Sequence, residues 1–274
     1  MTQYGSETIL PYNKEEQKGT QVKRMFDSIA ETYDQLNHTL SFGIDKIWRR
    51  KGIAFLRPFS PKTILDIATG TGDLAISMYK KLRPDHIVGA DISLGMMEVG
   101  RKKVAAAGYS EHISFEQQDC TALTYEENSF DAVTAAFGVR NFENIEQGIS
   151  EMYRVLKPGG RLLNFDANWY GYLYDEEKRK AYEQDRKNVE QHSLDDHYLC
   201  TDIDAMEQIA LEMPLSAKTR PGWDAEILKE TGFAEIHTDT KVWERVWSEE
   251  EKLNYGSTPM FMIHGRKGDS KVYA

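Results

Sequence analysis

The sequence is poor in cysteine and has no long apolar run. Its 2 cysteines, Cys120 and Cys200, are far apart in the chain and lack the spacing of metal ligands. We therefore expect a reduced, cytoplasmic chain without a metal centre. Residues 1–23 are polar and lack the apolar segment of a signal peptide, and no apolar run reaches the length of a membrane span.

Basic residues are also in deficit. The chain has 34 Lys and Arg against 44 Asp and Glu, which gives a formal net charge of -10. A surface that binds a nucleic-acid backbone needs a basic stripe, so DNA and RNA are disfavoured as partners. We expect a small-molecule substrate and at most peripheral membrane contact, and the sequence leaves a homodimer open.

The remaining sequence can be placed around the residues from Thr63 to Ala75. They combine the pattern of a buried strand, a glycine turn and the start of a helix. Asp66 lies near the carboxyl end of the strand, where open α/β sheets bind ligands. Gly70 and Gly72 allow the backbone to turn sharply and to approach a ligand closely. This arrangement predicts a site for a nucleotide-like molecule.

Two classes of cofactor fit such a turn. The run Gly70-x-Gly72-x-x-Ala75 satisfies a relaxed dinucleotide fingerprint, which places a pyrophosphate at a helix N-terminus. However, Asp66 and Asp73 flank the turn, and their carboxylates would repel a pyrophosphate. S-adenosylmethionine has no phosphate, and its sulfonium and ammonium groups suit carboxylates and backbone carbonyls. The turn therefore predicts S-adenosylmethionine as the cofactor.

The next two predicted strands also end in acidic residues. His86–Asp91 is a short apolar strand whose last residue lies 19 positions after Gly72, where an α/β nucleotide fold places the carboxylate that binds the ribose hydroxyls. The third predicted strand is Ile113–Cys120. At its end, Asp119 can accept from the adenine amine while the Cys120 amide donates to the ring.

The fourth and fifth predicted strands bring further polar groups to this edge. Phe130–Gly138 is mostly apolar and is followed by Arg140 and Asn141, which are candidate substrate-facing groups. A helix over 145–156 and a turn at 157–160 then lead to a strand over 161–166, whose last residue is Asp166.

Helical spacing of apolar residues between Val22 and Leu36 predicts a helix near the start of the chain. Two interpretations remain open for this helix. It either packs on the edge of the sheet or forms the lid of a substrate pocket that includes Tyr33, Asn37 and His38.

The last third of the chain predicts a charged helix over Asp175–His192, a helix over Trp223–Gly232 and a closing antiparallel pair of strands, Phe233–Trp243 and Pro259–Arg266. The whole pattern predicts a Rossmann-like α/β fold with a seven-stranded, mostly parallel sheet and helices on both faces. The expected parts are a mobile N-terminal arm at 1–21 and a single domain at 22–274, with lid helices at 22–55 and a helical cap insert at 167–222 between strands five and six.

Residues 22–163 resemble the demethylmenaquinone/ubiquinone C-methyltransferase family of class I methyltransferases. The most particular shared runs are Asn37-His38-x-Leu40-Ser41-x-Gly43 and Phe137-Gly138-x-Arg140-Asn141. More widespread runs are Asp66 to Asp73, in which Ala68 replaces the usual first glycine, and Lys157-Pro158-Gly159-Gly160. Beyond Leu163 the sequence departs from the family pattern.

The resemblance implies that Thr69, Asp91 and the Asp119–Cys120 pair bind the cofactor and that Arg140 and Asn141 lie beside a quinol ring. The cofactor-binding candidates are Asp66, Thr69, Gly70, Gly72, Asp91, Ile92, Asp119, Cys120 and Ala136. The catalytic candidates are Arg140, Asn141, His38 and Asp166. Arg140 would stabilise a developing phenolate and Asn141 would orient it, while the proton leaves through His38, Asp166 or water.

The leading hypothesis is C-methylation of a demethylmenaquinol-like quinol in menaquinone biosynthesis. Methyl transfer to a small polar N, O or S acceptor is an alternative that suits the aromatic and charged cap. A regulator that binds the adenosyl cofactor without turnover is an alternative of another class.

Overall fold

A computed structural model of the chain describes residues 18–40, 45–168, 170–192 and 218–269. The strands are β1 (Thr63–Ile67), β2 (His86–Asp91), β3 (Ile113–Gln117), β4 (Phe130–Ala136), β5 (Leu156–Ala167), β6 (Phe233–Asp239) and β7 (Met260–Lys267). The α-helices are α1 (Lys18–Leu40), α2 (Asp45–Leu56), α3 (Asp73–Leu82), α4 (Leu94–Ala106), α5 (Ile145–Val155), α6 (Glu176–His192), α7 (Gly222–Thr231), α8 (Val242–Val246) and α9 (Glu249–Tyr255).

The seven strands form one sheet in the order β3-β2-β1-β4-β5-β7-β6. All neighbouring pairs are parallel except those of β7, which runs antiparallel to both β5 and β6. The order reverses between β1 and β4, and such a reversal opens a crevice at the carboxyl ends of the strands. The predicted fold class, with its mostly parallel sheet and antiparallel closing strands, is confirmed.

Both faces of the sheet are covered by helices. Along β5 the side chains alternate, so that Leu162 packs with the buried residues of α5 and α7. Leu163 and Phe165 point the other way and pack with apolar residues of α2 and α3. Because helices cover both faces, the central strands are mostly apolar, as their sequences predict.

Helix α1 is held against the start of α4 by one carboxylate. Asp27 Oδ1 accepts hydrogen bonds from the Ser93 hydroxyl at 2.6 Å and from the Gly95 amide at 2.9 Å. Lys23 pairs with the other Asp27 oxygen at 2.9 Å. The predicted first helix is confirmed and lies at the carboxyl edge of the sheet, although the side chains of Tyr33, Asn37 and His38 fall outside the described residues.

Several predicted boundaries differ from those observed. Strand β3 ends at Gln117, and Asp119 lies in the turn that follows, where its carboxylate accepts from the Thr121 amide and hydroxyl. The predicted turn at 157–160 belongs to β5, which starts at Leu156 and pairs with β4 across an irregularity in register. The local pattern could not show this, because the pairing partner is distant in sequence.

The end of the chain contains two helices that the sequence reasoning missed. Strand β6 stops at Asp239, whose carboxylate accepts from the Lys241 amide, and the predicted extension of the strand to Trp243 is wrong because α8 begins at Val242. Helix α9 starts with a reciprocal capping box between Ser248 and Glu251. The Ser-x-x-Glu spacing was a readable signal for this helix.

Helix α6 is the longest described element of the predicted cap, and the 3-10 turn Gly171–Leu173 precedes it. The Asp185 carboxylate accepts from the Ser257 amide at 2.8 Å, and Arg186 donates to the Asn254 carbonyl at 2.9 Å. These contacts fasten α6 to α9 and to the turn after it. Residues 193–217 of the predicted cap lie outside the described residues, so the cover that the cap provides over the sheet edge stays a prediction.

Candidate active site

A cavity of about 400 Å³ lies at the carboxyl edge of the sheet, where the strand order reverses. Its wall is built from the ends of β1, β2 and β4, the turn after β3, and one side of α1, through Gly19, Val22 and Phe26. Eight of the nine predicted cofactor-binding residues line it: Asp66, Thr69, Gly70, Asp91, Ile92, Asp119, Cys120 and Ala136.

The turn after β1 has a left-handed backbone at three positions. Ala68, Gly70 and Gly72 have φ values of 51°, 56° and 75°. Such values disfavour a side chain, which explains why glycine is the usual residue where this chain has Ala68. The missing ninth residue, Gly72, does not line the cavity. A Cβ there would lie 2.5 Å from the Phe115 ring, so Gly72 serves to pack the turn on β3.

Asp91 is held rigidly in the cavity wall. Its Oδ2 accepts from the Gly70 amide at 2.8 Å, and its Oδ1 accepts from the Ser93 amide at 2.9 Å. Burial raises the pKa of this carboxyl, while the amides of Ser93 and Gly70 favour its ionised form. Each oxygen has capacity for a further hydrogen bond, so the group can accept from ligand hydroxyls.

Asp66 is the more deeply buried acid of the site. Its two oxygens accept from the hydroxyls of Thr69 at 2.7 Å and Thr134 at 2.6 Å. Burial raises its pKa to about 6, an effect that these hydroxyls oppose and the charge of Asp91 reinforces. A cation bound beside Asp66 would favour its ionised form and be stabilised in return.

Asp73 departs from the sequence prediction, which treats it as an uncompensated charge beside the turn. It pairs with Lys103 and, at 3.2 Å, with Arg49, a buried residue that also lines the cavity. The electrostatic argument for a cationic ligand therefore rests on Asp66 and Asp91. Arg49 was not singled out from the sequence.

Two residues of the turn after β4 bring substrate-type groups to the same cavity. Arg140 and Asn141 lie in a single 3-10 turn, Val139–Asn141, and both line the cavity. The Arg140 guanidinium is 5.9 Å from the centre of the Phe137 ring, and its Nη1 is 3.4 Å from Asp166 Oδ1. The predicted pair thus lies together with Asp66 and Asp91.

The two other catalytic candidates stand differently. The Asp166 side chain is 0% exposed, does not line the cavity and lies behind Arg140. Its second oxygen accepts from Arg220, a residue that the sequence reasoning missed and for which no local pattern gave a signal. His38 belongs to α1, but its side chain lies outside the described residues.

Cys120 contributes a thiol that is buried against the cavity. Burial, followed by the charge of Asp91, raises its pKa, so the thiol is neutral near pH 7 and is not a nucleophile. Over the described ranges, no group of three or more His, Cys, Asp and Glu side chains could hold a metal ion.

These side chains fit an adenosyl cofactor that carries a positive charge. Asp66 and Asp91 are two buried carboxylates on the wall, and Arg49 on the same wall is paired with Asp73. A diphosphate would need basic groups that are free to bind it. A sulfonium, an ammonium and ribose hydroxyls match the carboxylates instead.

The sheet order and the acid-lined cavity define the class of protein, a Rossmann-like class I methyltransferase fold. The fold is similar to that of phosphoethanolamine N-methyltransferase 2 from Haemonchus contortus in complex with S-adenosyl-L-methionine, with a TM-score of 0.56 and 18% identity over 80% of this chain and 53% of that chain. It is also similar to that of the [4+2]-cyclase SpnF, with a TM-score of 0.55 and 19% identity over 92% and 97% of the two chains. Since one neighbour is named a cyclase, this likeness shows the fold alone.

The chain belongs to the ubiE/COQ5 methyltransferase family, whose model matches residues 13–189. It is 58% identical over 160 residues to the demethylmenaquinone methyltransferase of Bacteroides fragilis, a match that covers 58% of this chain and 65% of that protein. It is 47% identical over 148 residues to the ubiquinone/menaquinone biosynthesis C-methyltransferase UbiE of Geobacter sulfurreducens, covering 54% and 58%. The predicted family is confirmed.

These matches have a limited extent. The chain matches less than two thirds of the length of each of these two relatives. The family model ends at residue 189, before α7. Among the helices of the described residues, none is long and apolar enough to cross a membrane.

Proposed function

We propose that this protein uses S-adenosylmethionine to methylate a ring carbon of a demethylmenaquinol-like quinol in menaquinone biosynthesis. The observation that carries the proposal is the placement of Arg140 and Asn141 in the same cavity as Asp66 and Asp91 in a member of the ubiE/COQ5 family. The names of the two relatives support this choice of acceptor.

The cofactor supplies a methyl group on a positively charged sulfur. Asp91 accepts from its ribose hydroxyls, and the Asp66 carboxylate favours the cationic end of the ligand. Thr69 holds Asp66 in place through its hydroxyl. The protein mainly aligns the two reactants and excludes water, since an in-line displacement needs no covalent intermediate with the protein.

On the acceptor, a ring carbon becomes nucleophilic when a neighbouring hydroxyl loses its proton. The Arg140 guanidinium stabilises the negative charge that develops on that oxygen, and Asn141 orients the ring by a hydrogen bond. Asp166 lies behind Arg140, and we assign it the role of holding Arg140 in place. The route of the proton through His38 or water stays a prediction.

The test is direct transfer of a labelled methyl group. The purified protein is incubated with methyl-labelled S-adenosylmethionine and chemically reduced demethylmenaquinol, and mass spectrometry locates the label on the product. We expect the label on a ring carbon and no transfer to the oxidised quinone. Transfer only to small polar N, O or S acceptors would replace the quinol with that class, and cofactor binding without any transfer would favour a regulator.

The assembly and location of the protein are part of the same proposal. A homodimer and a cytoplasmic location with peripheral membrane contact suit an enzyme whose acceptor is a lipophilic quinol. Light scattering of the purified protein tests the first, and fractionation of cells that produce it tests the second.

A further inference from the structure

Four charged side chains form a connected group behind the acceptor side of the cavity. Arg140 Nη1 lies 3.4 Å from Asp166 Oδ1. The other oxygen, Asp166 Oδ2, accepts from Arg220 Nη2 at 2.9 Å. Arg220 also donates to Asp224, from Nη2 at 2.6 Å and from Nε at 3.0 Å. We name these residues the Arg220 network.

Three members of the Arg220 network are almost completely buried. The exposed fractions of the side chains are 0% for Asp166, 4% for Arg220 and 7% for Asp224, against 31% for Arg140. Two positive and two negative charges balance, which burial at this depth requires. Arg140 is the member that lines the cavity, so the network has one end that faces a substrate.

The network joins a part of the chain that the family model matches to a part that it does not match. Arg140 and Asp166 lie within the residues that the family model matches, whereas Arg220 and Asp224 lie beyond its end at residue 189. Arg220 immediately precedes α7, and Asp224 lies in its first turn. The region outside the family match therefore reaches the active edge of the sheet.

We propose that Arg220 is a positioning residue for Arg140 in the methyl-transfer reaction, with Asp224 as its anchor. Arg220 neutralises Asp166 through Oδ2, so that Arg140 needs only a long contact with Oδ1 and keeps its guanidinium at the cavity. Without Arg220, Arg140 would be the one charged partner left to Asp166 among the described residues, beside the Ala167 amide that donates to Oδ1 at 2.9 Å. Asp166 would then draw the guanidinium away from the acceptor. The inference rests on the proposed function for the role of Arg140, and it adds a specific contribution from beyond the family match.

Kinetics provide the first test. The double variant R220M/D224N removes one charge of each sign, leaves Asp166 paired with Arg140 and keeps the region neutral, so it is expected to fold even where R220M alone does not. We expect kcat to fall by about 10- to 100-fold, the cofactor Kd to stay within about twofold and R220K to recover part of the loss. The matched control is R161M. Arg161 pairs with Glu235 at 2.8 Å, and neither residue lines the cavity. A folded R220M/D224N enzyme with the kcat of wild type would overturn the proposal.

A second readout does not depend on turnover. The Nε–Hε signal of Arg140 is assigned in nitrogen-15 spectra by its loss in R140K. In R220M/D224N we expect this signal to shift and its exchange with water to slow, because Asp166 holds the guanidinium more closely. An unchanged signal would contradict the inference. Absence of methyl transfer by the wild-type protein would instead count against the proposed function, and the spectrum would still decide the role of Arg220.

Discussion

The acidic and basic residues of the cavity have separable tasks. Asp91 lies at the end of β2 and accepts from the Gly70 amide in the turn after β1, whereas Arg140 lies in the turn after β4. Asp91 is assigned to the cofactor and Arg140 to the acceptor. Loss of each residue is therefore expected to affect a different kinetic quantity.

For Asp91→Ala we expect a loss of cofactor affinity of about tenfold or more, because the carboxylate that meets the ribose is removed. For Arg140→Ala we expect turnover to fall by about 100-fold with little change in cofactor affinity. Calorimetry with S-adenosylhomocysteine and steady-state assays measure the two effects. The reverse pattern would remove both assignments.

The close approach of the turns that follow β1 and β4 can be tested by a double-mutant cycle. A Cβ on Gly138 would lie 2.3 Å from the Ala68 Cβ, and the next atoms lie at 3.7 Å or more. We expect Gly138→Ala to lower the free energy of unfolding by about 1–3 kcal/mol and to cost much less in an Ala68→Gly background. Denaturant unfolding measures both costs. Equal costs in the two backgrounds would show that the chain relaxes elsewhere.

Asp66 makes ligand choice dependent on pH. Its folded pKa of about 6 lies above the ordinary value of 3.8, so its contribution to stability is present at low pH and is lost as pH rises through about 6. A cationic ligand reverses this preference, since it favours the carboxylate.

We therefore expect affinity for S-adenosylmethionine to fall as the pH is lowered below about 6, with proton release on binding in that range. S-adenosylhomocysteine lacks the sulfonium charge and should show a smaller change. Calorimetry in buffers of different ionisation enthalpy measures the affinity and the proton release for each ligand. In Asp66→Asn, the difference in pH dependence between the two ligands should disappear. The same pH dependence for both ligands would contradict this account.

Among the elements, α1 has the most direct link to the cavity. Gly19, Val22 and Phe26 contribute to its wall, and Asp27 fixes the helix to the start of α4. Ser93, which donates to Asp27, also donates its amide to Asp91. One short chain of hydrogen bonds thus connects the first helix to the carboxylate assigned to the cofactor.

We expect Asp27→Asn to weaken cofactor binding by about tenfold, because hydrogen bonds to a charged acceptor are replaced by weaker ones to a neutral amide. Amide hydrogen exchange in α1 should rise at the same time. Lys23→Met is the matched control, since it removes a half-exposed partner of the same carboxylate and should change little. If exchange in α1 rises without any loss of affinity, the helix is not part of the cofactor site.

At the scale of the whole molecule, the sequence predicted what depends on local pattern and on the geometry of parallel sheets. The limits of β2 agree with the prediction, and the acids at strand ends converge because parallel strands end at one edge. The pairing of Asp73 with Lys103 and Arg49, and of Asp166 with Arg220, could not be predicted. Asp166 and Arg220 are 54 residues apart, and only tertiary packing brings them together.

The proposal also makes a prediction for a living cell. In a bacterium that lacks its own demethylmenaquinone methyltransferase, production of this protein should convert accumulated demethylmenaquinone to menaquinone, as measured by mass spectrometry of the lipid extract. Arg140→Ala should fail to do so, because the acceptor loses its stabilising cation while the fold remains. Arg161→Met should restore menaquinone as well as the unchanged protein does, since its ion pair with Glu235 lies away from the cavity. An unchanged quinone pool with a folded, cofactor-binding protein would show that the acceptor is another molecule.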